Sequence, residues 1–363
     1  MKIGIYTIHA CNNFGALLQA YATARFINDL GHQSEIVNVV TSAEEKKMQY
    51  KFPWTNIKGV INNFYAIFNP EVQRKKKNFE IFRSLLPLSD RYKSYEEVKN
   101  KTPQYDIHLV GSDQVWNLES GMREGFYFLP FLPKTSFRMS YASSFGNVDA
   151  VKNYSKEIKN YLTSFTHISV REQDACYYLK NEVGLEASCV LDPIFLLDAT
   201  QWGKIAGEHQ IVKGDYILYY GFDTNKTCAE AISLLRKNLK MPVIGISVSL
   251  HSPYKFDRFL QEAGPSEFLN LIKNAKFIFT SSFHGMAFSI VFRKDFAVLR
   301  HGSRMSRMMS LLNYFNIEDR VISDCNELEY LIHNKCIIDY ASLDYIFAKK
   351  VLESQKWLST HLL

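Results

Sequence analysis

A regular alternation of short, β-branched apolar runs with longer stretches of helical periodicity constrains the fold of this chain more than any other feature. Residues 2–8, KIGIYTI, predict a strand, and the apolar positions of ALLQAYATARFINDLGH after it recur at helical spacing. Residues 34–40, SEIVNVV, predict the next strand, with Gly31 as the C-cap of the intervening helix. A strand, a helix and a strand in this order form the opening unit of a parallel α/β sheet.

The same alternation continues in two series, separated by residues 193–215, where no periodicity is clear and the linker is expected. The first series adds predicted strands at 105–110, 138–142, 164–170 and 189–191, whereas residues 44–104 are polar and irregular, with helices but no recognisable chemistry. The second series begins with DYILYYG at 215–221, adds strands at 242–248, 276–280 and 295–299, and ends in a helix at 341–357. Two sheet domains facing a cleft are therefore predicted, which suits a length of 363 residues.

Composition and charge exclude several classes of protein. An apolar fraction of 47%, with 26 Phe and 21 Tyr, supports substantial cores and is the opposite of a disordered composition. The net charge of +6 is a mild excess that does not require nucleic acid, although it suits anionic ligands or an anionic membrane face. The densest basic run, Arg74 to Lys77, predicts either a solvated helix face or a docking surface for a membrane or a lipid diphosphate.

The cysteines and the N-terminus indicate a cytoplasmic protein. The six cysteines form no C-x-x-C pair and no zinc-type spacing with histidine, so reduced thiols and no metal site are expected. The start MKIGIYTIHA is too short and too interrupted for a signal peptide, and no run approaches the roughly 18 apolar residues of a membrane span. We expect a cytoplasmic protein that can lie peripherally at the inner face of the membrane.

Several candidate site residues follow predicted strands of the first series. Asn13 and Gly15 lie between a strand and a helix, where glycine lets the backbone approach a ligand and the helix N-terminus favours an anion. The alternative is a tight turn capped by asparagine, since neither G-x-G-x-x-G nor a P-loop is present. In GSDQVWN, Ser112 and Asp113 can bind a sugar, and Asp113 can act as a base. The alternative is that Asp113 caps a helix beside a core Trp.

Two further motifs of the first series are weaker in isolation. Ser144, in SYASSFG, is placed to bind phosphate or sugar oxygens, although a structural turn explains the motif equally well. Arg171 directly follows a buried strand, so its guanidinium can grip a carboxylate or phosphate with two parallel hydrogen bonds. The alternative for Arg171 is a salt bridge with a nearby acidic residue.

The most informative motif is FIFTSSFHG in the second series. The strand ends in Ser281 and Ser282, and His284 and Gly285 then open an apolar helix. A histidine at this turn can serve as general acid or base near neutral pH, or sit where helix-terminal amides bind phosphate. A lone histidine is usually structural, but its position at a strand-to-helix turn favours a functional role.

Three arginines follow the next predicted strand: Arg300, Arg304 and Arg307. Arg304 and Arg307 are three residues apart and share a helix face. They predict either an anion site or a solvated basic face.

Taken in order, these motifs resemble those of the polysaccharide pyruvyl transferase family. The resemblance covers roughly residues 3–320 and is specific as a combination, although each piece alone is not. The motifs that carry it are NNFGALLQAYA, LVGSDQVWN, SYASSFG, SVREQDA, LDPIF, GPSEFLNLIKNAKFIFTSSFHGMAFSIVF and SRM within a helix.

The resemblance implies two Rossmann-like domains in a GT-B arrangement. Residues 1–195 would form the acceptor side and residues 196–363 the donor side, with the last helix packing back on the first domain. The implied donor is phosphoenolpyruvate, and the implied product is a cyclic ketal between pyruvate and two hydroxyls of one sugar. The functional positions of the family fall on Arg171, His284 and Arg304.

One departure from the family concerns the second anionic group of the donor. Some members have arginine two residues before the histidine, where this chain has Ser282, while others share the Ser-Phe-His-Gly form. Arg300, Arg304 and Arg307 remain candidates for that group. The resemblance implies that His284 is the acid or binds the leaving phosphate, and that two arginines hold the donor.

The functional prediction is therefore a pyruvyltransferase that acts on a bacterial surface or capsular polysaccharide, or on its lipid-linked precursor. Its partners would be phosphoenolpyruvate and a glycan acceptor, with no nucleic acid, no metal and no cofactor beyond the donor substrate. Two alternatives stay open: a GT-B glycosyltransferase using a nucleotide-sugar, and a non-catalytic glycan- or phosphate-binding protein.

Overall fold

The computed structural model describes residues 1–118, 123–222, 225–300, 305–335 and 337–363. Among them the strands are β1 Lys2–Tyr6, β2 Gln33–Ile36, β3 Ile107–Val110, β4 Arg138–Ser140, β5 Ser169–Val170, β6 Ser188–Cys189, β7 Ile217–Tyr220, β8 Val243–Ile246, β9 Arg258–Phe259, β10 Phe277–Thr280, β11 Asp295–Leu299 and β12 Val321–Ile322.

Helices alternate with these strands. They are α1 Phe14–Asp29, α2 Ser42–Met48, α3 Ile57–Phe68, α4 Pro70–Arg83, α5 Tyr95–Asn100, α6 Val148–Val151, α7 Ser155–Leu162, α8 Gln173–Tyr178, α9 Ala199–Ala206, α10 Lys226–Leu239, α11 Pro265–Asn274, α12 Phe283–Val291, α13 Met305–Phe315, α14 Cys325–Asn334 and α15 Tyr340–His361. Five short 3-10 or π segments complete the described elements: Arg123–Phe128, Lys152–Tyr154, Leu179–Val183, Pro193–Leu196 and Glu318–Arg320.

The N-terminal half is built on a parallel sheet in the order β2-β1-β3-β4. Isolated bridges from Met139 to His167 and from Ser143 to Val170 continue this sheet into the parallel pair β5-β6. The loops that follow β1, β3, β4 and β5 therefore meet at one edge, where the carboxyl ends of parallel strands lie.

The C-terminal half is built on a second parallel sheet, in the order β12-β11-β10-β7-β8-β9. Both sheets are parallel and covered by helices, which confirms the predicted α/β class. The short strands β9 and β12 were not predicted, because two residues are too few to show a period of two.

Aromatic packing joins the two halves. Phe14, at the start of α1, stacks on Phe79 of α4 with ring centroids 5.4 Å apart and on Phe268 of α11 at 5.0 Å. It also lies 5.4 Å from the ring of Tyr220, at the end of β7. The start of α1 is thus fixed against the C-terminal half by buried aromatic surface.

Two helices connect the halves by hydrogen bonds. In α13, the Ser306 hydroxyl donates to Asp174, and Ser310 Oγ accepts from the backbone N–H of Gln173 at 3.3 Å. In α15, Ser354 Oγ accepts from the N–H of Leu191 at 2.9 Å, so the last helix contacts the N-terminal half.

Residues 193–215, for which no periodicity was predicted, contain α9. Its capping box is formed by Asp198 and Gln201. Trp202 is fully buried, with its ring 5.1 Å from that of Phe288. A helix of this length with two buried residues, Trp202 and Ala206, has too short an apolar stripe to show in the sequence.

The basic run from Arg74 to Lys77 is divided by the fold rather than uniformly solvated. Arg74 and Lys77 are exposed, while Lys75 is fully buried. The ammonium group of Lys75 donates to the backbone carbonyl oxygens of Ser247 and, at 3.2 Å, of Ser249 in the C-terminal half. Lys75 is thus a structural tie between the halves.

Candidate active site

A cavity of about 250 Å³ lies where the carboxyl ends of the two sheets face each other. Side chains from both halves and from the connecting helices form its walls. The lining residues are Asn13, Asp113, Gln114, Phe222, Ser281, Ser282, Phe283, His284, Arg307 and Met308. Five loops or helix starts that are far apart in sequence converge here.

Three hydrogen bonds at the end of β10 shape the turn that carries His284. Thr280 Oγ1 donates to the carbonyl oxygen of Tyr220 at 2.5 Å and accepts from the N–H of Ser282 at 3.0 Å. Ser282 is the N-cap of α12, since its hydroxyl accepts from the N–H of Gly285 at 3.4 Å. These bonds place the imidazole of His284 at the N-terminal end of a buried helix.

His284 packs directly against the backbone of Gly15. A Cβ atom at residue 15 would overlap Nδ1 and Cγ of the imidazole ring. Gly15 does not line the cavity but leaves the space that the ring occupies, while its neighbour Asn13 does line the cavity. Asn13 also caps α1 by accepting from the N–H of Ala16 at 3.2 Å. Both readings of this motif, a capped turn and a site residue, therefore apply to Asn13.

The surroundings of His284 favour the neutral form of its imidazole. Burial lowers its pKa below the ordinary value, and the nearby carboxylates of Asp192 and Asp113 only partly oppose that effect. Its Nε2 lies 4.0 Å from Asp192 Oδ2, and within the described part of the chain this atom has no hydrogen-bond partner. An anionic ligand in the cavity would therefore favour protonation.

Asp113 lines the cavity with a backbone held in the left-handed region, at φ 73°. This conformation is uncommon for any residue except glycine, although aspartate tolerates it better than most. Burial alone would raise the pKa of Asp113, but Arg171, His284 and Arg307 together lower it below its usual value. The carboxylate is therefore ionised, which leaves it able to accept a hydrogen bond from a hydroxyl.

Arg171 lies behind the cavity and does not line it. Its Nη1 is 2.6 Å from Asp192 Oδ2, its Nε is 3.1 Å from Glu172 Oε1, and its Nη2 is 3.6 Å from Asp113 Oδ1. Burial alone would lower the pKa of Arg171, but these three carboxylates raise it above its ordinary value. The ring of Phe283 covers the guanidinium at 4.8 Å. The ion-paired alternative thus describes its geometry.

Ser112 and Ser144 belong to the same buried network rather than to the cavity wall. The Ser112 hydroxyl donates to Asp192 Oδ2 at 3.1 Å, and the Ser144 hydroxyl donates to Glu172 Oε1 at 2.5 Å. Burial raises the pKa of Glu172, against the opposing charge of Arg171. Both serines therefore orient carboxylates that hold Arg171.

Arg307 supplies a positive charge in the described part of the cavity wall. It lies in the first turns of α13 and is 7% exposed. Both terminal nitrogens of its guanidinium lie 2.9 Å from the side-chain amide of Gln114, and the amide oxygen accepts from both when the amide is assigned with its oxygen toward Arg307. The N-terminal half thus orients a cation carried by the C-terminal half.

Of the other two arginines, only Arg300 belongs to the described residues, and it lies apart from this group. Arg300 is exposed and lines a separate groove, where its Nε donates to Ser323 Oγ at 3.1 Å. Arg304 lies outside the described residues, so its predicted role in anion binding stays a prediction.

Three residues of the network were not predicted as site residues: Asp192, Glu172 and Gln114. Asp192 is fully buried and contacts Arg171, Ser112 and His284. It follows the short strand β6 and precedes a proline, which is also the pattern of an ordinary cap; indeed its Oδ1 accepts from the N–H of Ile194 at 3.2 Å. Gln114 was part of a quoted motif, but nothing in the sequence indicated that it would face Arg307.

The described residues contain neither a metal-binding cluster nor a membrane-spanning helix. No group of three or more histidine, cysteine, aspartate or glutamate side chains is arranged to hold a metal ion. Within the same residues, no helix has the length and hydrophobicity required to cross a bilayer.

Solved structures show what fold this is. The chain is similar to UDP-GlcNAc 2-epimerase from Methanocaldococcus jannaschii, with a TM-score of 0.58, 14% identity, and coverage of 93% of this chain and 94% of that one. It is also similar to UDP-GlcNAc 2-epimerase from Neisseria meningitidis, with a TM-score of 0.54, 12% identity, and coverage of 100% and 99%. The likeness to the Rickettsia bellii enzyme has a TM-score of 0.54, 11% identity, and coverage of 99% and 97%. At such identities the likeness shows the fold alone, the GT-B arrangement.

Sequence comparison is more specific. No curated protein matches the chain significantly. The model of the family described as polysaccharide pyruvyl transferase matches residues 13–303, which is most of the chain and includes Asn13, Asp113, Arg171 and His284. The chain therefore belongs to the polysaccharide pyruvyl transferase family and is a transferase.

Proposed function

We propose that this enzyme transfers the pyruvyl group of phosphoenolpyruvate onto two hydroxyls of one sugar, forming a cyclic ketal on a bacterial surface or capsular polysaccharide or on its lipid-linked precursor. The observation that carries the proposal is the small polar cavity in which His284, Arg307 and Asp113 converge. The enzyme would act in the cytoplasm with no cofactor other than the donor.

The size of the cavity favours a small donor. Binding sites for drug-sized ligands span roughly 300–1,000 Å³. The cavity here is about 250 Å³, which suits a phosphorylated three-carbon acid better than a nucleotide-sugar. This observation supports phosphoenolpyruvate over the nucleotide-sugar donor of a GT-B glycosyltransferase, which remains the second candidate because the fold is shared.

The donor carries a phosphate and a carboxylate, so the site must compensate several negative charges. Arg307 supplies one positive charge, and the N-terminal end of α12, with Ser281 and Ser282, supplies hydroxyls and the positive end of a helix dipole. Arg304 is proposed to supply a second cation. Arg171 is proposed to act through its buried contacts with Asp113 and Asp192, which position the carboxylate next to the cavity.

The proposed reaction begins with protonation of the donor methylene carbon, which gives an oxocarbenium-like centre. One sugar hydroxyl attacks this carbon, the bond to the phosphate oxygen breaks, and the second hydroxyl closes the ring. Of the two protons that the hydroxyls lose, one balances the new methyl group and the other balances the released phosphate. No oxidant, metal or further substrate is needed for this balance.

His284 and Asp113 fit two different roles in this sequence. Burial favours the neutral form of His284, and a phosphate beside it would favour protonation, so we propose it as the acid or as the partner of the leaving phosphate. Asp113 is ionised and is proposed to accept the hydrogen bond of the attacking hydroxyl. The two groups differ in what dominates their pKa. Burial dominates for His284, whereas Asp113 is held in its ionised form by Arg171, His284 and Arg307.

Calorimetric titration of the purified protein with phosphoenolpyruvate and with UDP-GlcNAc tests the choice of donor. Binding of phosphoenolpyruvate that Arg307→Gln weakens and that an exposed-site control, Arg300→Gln, leaves unchanged would support the proposal. Binding of the nucleotide-sugar alone would instead make the enzyme a glycosyltransferase. Binding of a glycan or phosphate without turnover of either donor would favour the non-catalytic alternative.

A further inference from the structure

Helix α3 carries its apolar side chains on the side that faces solvent. Ile57, Ile61, Phe64 and Phe68 recur at spacings that place them on one helix face, and their exposed fractions are 80%, 61%, 52% and 73%. Trp54, just before the helix, is 60% exposed, and its ring lies 6.1 Å from that of Phe64.

The opposite face of α3 packs on the protein, and the residues that it buries beside half-buried Tyr65 are small or polar. Its buried residues are Gly59, Asn63 and Ala66. Asn63 hydrogen-bonds in both directions to the backbone of Phe52, at 2.9 Å and 3.0 Å. The orientation of α3 is therefore fixed by specific contacts, and its large apolar side chains are not displaced core residues.

The positive charge of the protein is concentrated around this helix. Residues 42–83 contain nine lysines and arginines against four glutamates, a formal charge of +5 out of the +6 of the chain, although one of the nine, Lys75, is buried. Among them Lys51, Lys58, Arg74 and Lys77 are exposed. An apolar helix face flanked by exposed lysine and arginine is the arrangement of helices that lie in the interface of an anionic bilayer.

A cavity of about 500 Å³ joins the charge to the apolar face. Lys46, Lys51 and Lys76 line it together with Trp54 and Ile67. Burial lowers the pKa of Lys76, and the like charge of Lys51 adds to that effect, so an anion between these ammonium groups would relieve the repulsion. A phosphate group of a lipid would meet both the lysines and the apolar wall there.

We propose that α3 docks the enzyme onto an anionic lipid bilayer, with its apolar face in the acyl–headgroup boundary and lysines of the adjacent cavity binding lipid phosphate. A second copy of the chain fits this face less well, because a two-fold contact would bring two strongly basic segments together. The inference goes beyond the proposed function and does not depend on the identity of the donor.

A further cavity lies between the docking surface and the candidate active site. This cavity of about 460 Å³ shares Tyr50 and Phe52 with the lysine-lined cavity, and it reaches Asn12. Asn12 is the chain neighbour of Asn13, which lines the candidate active site. A bilayer on α3 would therefore bring lipid-borne molecules to this side of the protein.

Flotation with vesicles tests the proposal. The full chain is expected to float with vesicles of phosphatidylcholine mixed with phosphatidylglycerol, and much less with phosphatidylcholine alone or at high salt, where charge attraction is screened. Because Phe64→Glu removes apolar surface and places a negative charge against an anionic bilayer, it should reduce partition by about tenfold or more. Ile57→Glu should act in the same direction.

A matched control separates docking through α3 from nonspecific adsorption to vesicles. Ile337 is as exposed as Ile57, at 80%, but lies far from the basic segment in sequence, so Ile337→Glu should leave partition unchanged. Trp54 also gives a direct signal, because Trp116 and Trp202 are fully buried and Trp357 is only partly exposed. The fluorescence emission of Trp54 should shift to shorter wavelength when anionic vesicles are added.

Three results would overturn the proposal. The first is absence of flotation with anionic vesicles by a folded wild-type protein. The second is flotation that Ile57→Glu and Phe64→Glu leave unchanged. The third is that the protein sediments as a dimer that Phe64→Glu dissociates and does not bind vesicles. This result would make the face a subunit interface.

Discussion

Gly15 of the N-terminal half leaves the space that the imidazole of His284 in the C-terminal half occupies. Any side chain at residue 15 would overlap Nδ1 and Cγ of that ring. The contact joins the first turn of α1 to the first turn of α12, so the position of the histidine depends on the fit between the two halves.

Gly15→Ala is therefore expected to displace His284 while the protein remains folded. A misplacement of about 1 Å at a reacting group can lower the rate by about 100-fold, so kcat should fall by that order. The measurement is turnover of the purified variant, with circular dichroism as the check on folding. Gly203→Ala is the control, since a Cβ there meets only the end of the Lys273 side chain, at 3.5 Å. Equal activity of both variants would contradict the proposed contact.

Arg171 is expected to be essential for stability as well as for activity. Removing one partner of a buried charge network costs about 3–5 kcal/mol, and Arg171→Leu would leave Asp192 and Glu172 without their counter-charge. Chemical denaturation should show a loss of this size. Arg25→Leu, which breaks an exposed pair with Asp29, should cost about 1 kcal/mol or less. A similar small loss for Arg171→Leu would argue against the network.

Donor affinity should depend on the protonation of His284. Burial lowers the pKa of His284, and a bound anionic donor would raise it, so binding takes up a proton and weakens as pH rises through the bound-state pKa. The donor phosphate also titrates in this range, with a pKa of about 6 for the second ionisation of a phosphate ester. Calorimetric Kd values across pH for wild type and His284→Gln separate the two contributions. The same slope in both proteins would show that His284 does not take up the proton.

Lys75 should make stability depend on pH above neutrality. Burial lowers the pKa of Lys75 to about 7, whereas an unfolded chain keeps the ordinary, much higher value. Between these two pKa values the unfolded state binds more protons, so the free energy of unfolding should rise with pH by a few kcal/mol. Lys75→Met should flatten this rise, while Lys77→Met, at an exposed position, should not. A rise that persists in Lys75→Met would point to another group.

The alternation of strands and helices predicted the α/β class and the strand-end placement of Asp113 and His284, because these depend on local pattern. The partners of Arg171 were harder to predict. Its position after a buried strand fits an anion-binding arginine and an ion-paired one equally well, and only the fold brings Asp192 within 2.6 Å of it. The fit of Gly15 against His284 was unpredictable for the same reason, since it joins two turns from different sheets.

The exposed face of α3 shows a different limit of sequence reasoning. Its apolar spacing indicates a helix with one apolar side, which in most globular proteins is the buried side. Only the packing of Gly59, Asn63 and Ala66 against the protein shows that the apolar side of this helix faces solvent.

The most direct test of the account is whether the purified protein releases phosphate from phosphoenolpyruvate when a galactose-, glucose- or mannose-type acceptor is present. We expect acceptor-dependent release with an equal amount of acid-labile pyruvate on the sugar. That activity should be lost in His284→Ala and retained in His209→Ala, which changes an exposed histidine. Turnover of a nucleotide-sugar with no phosphate release from phosphoenolpyruvate, or full activity of His284→Ala, would contradict the account.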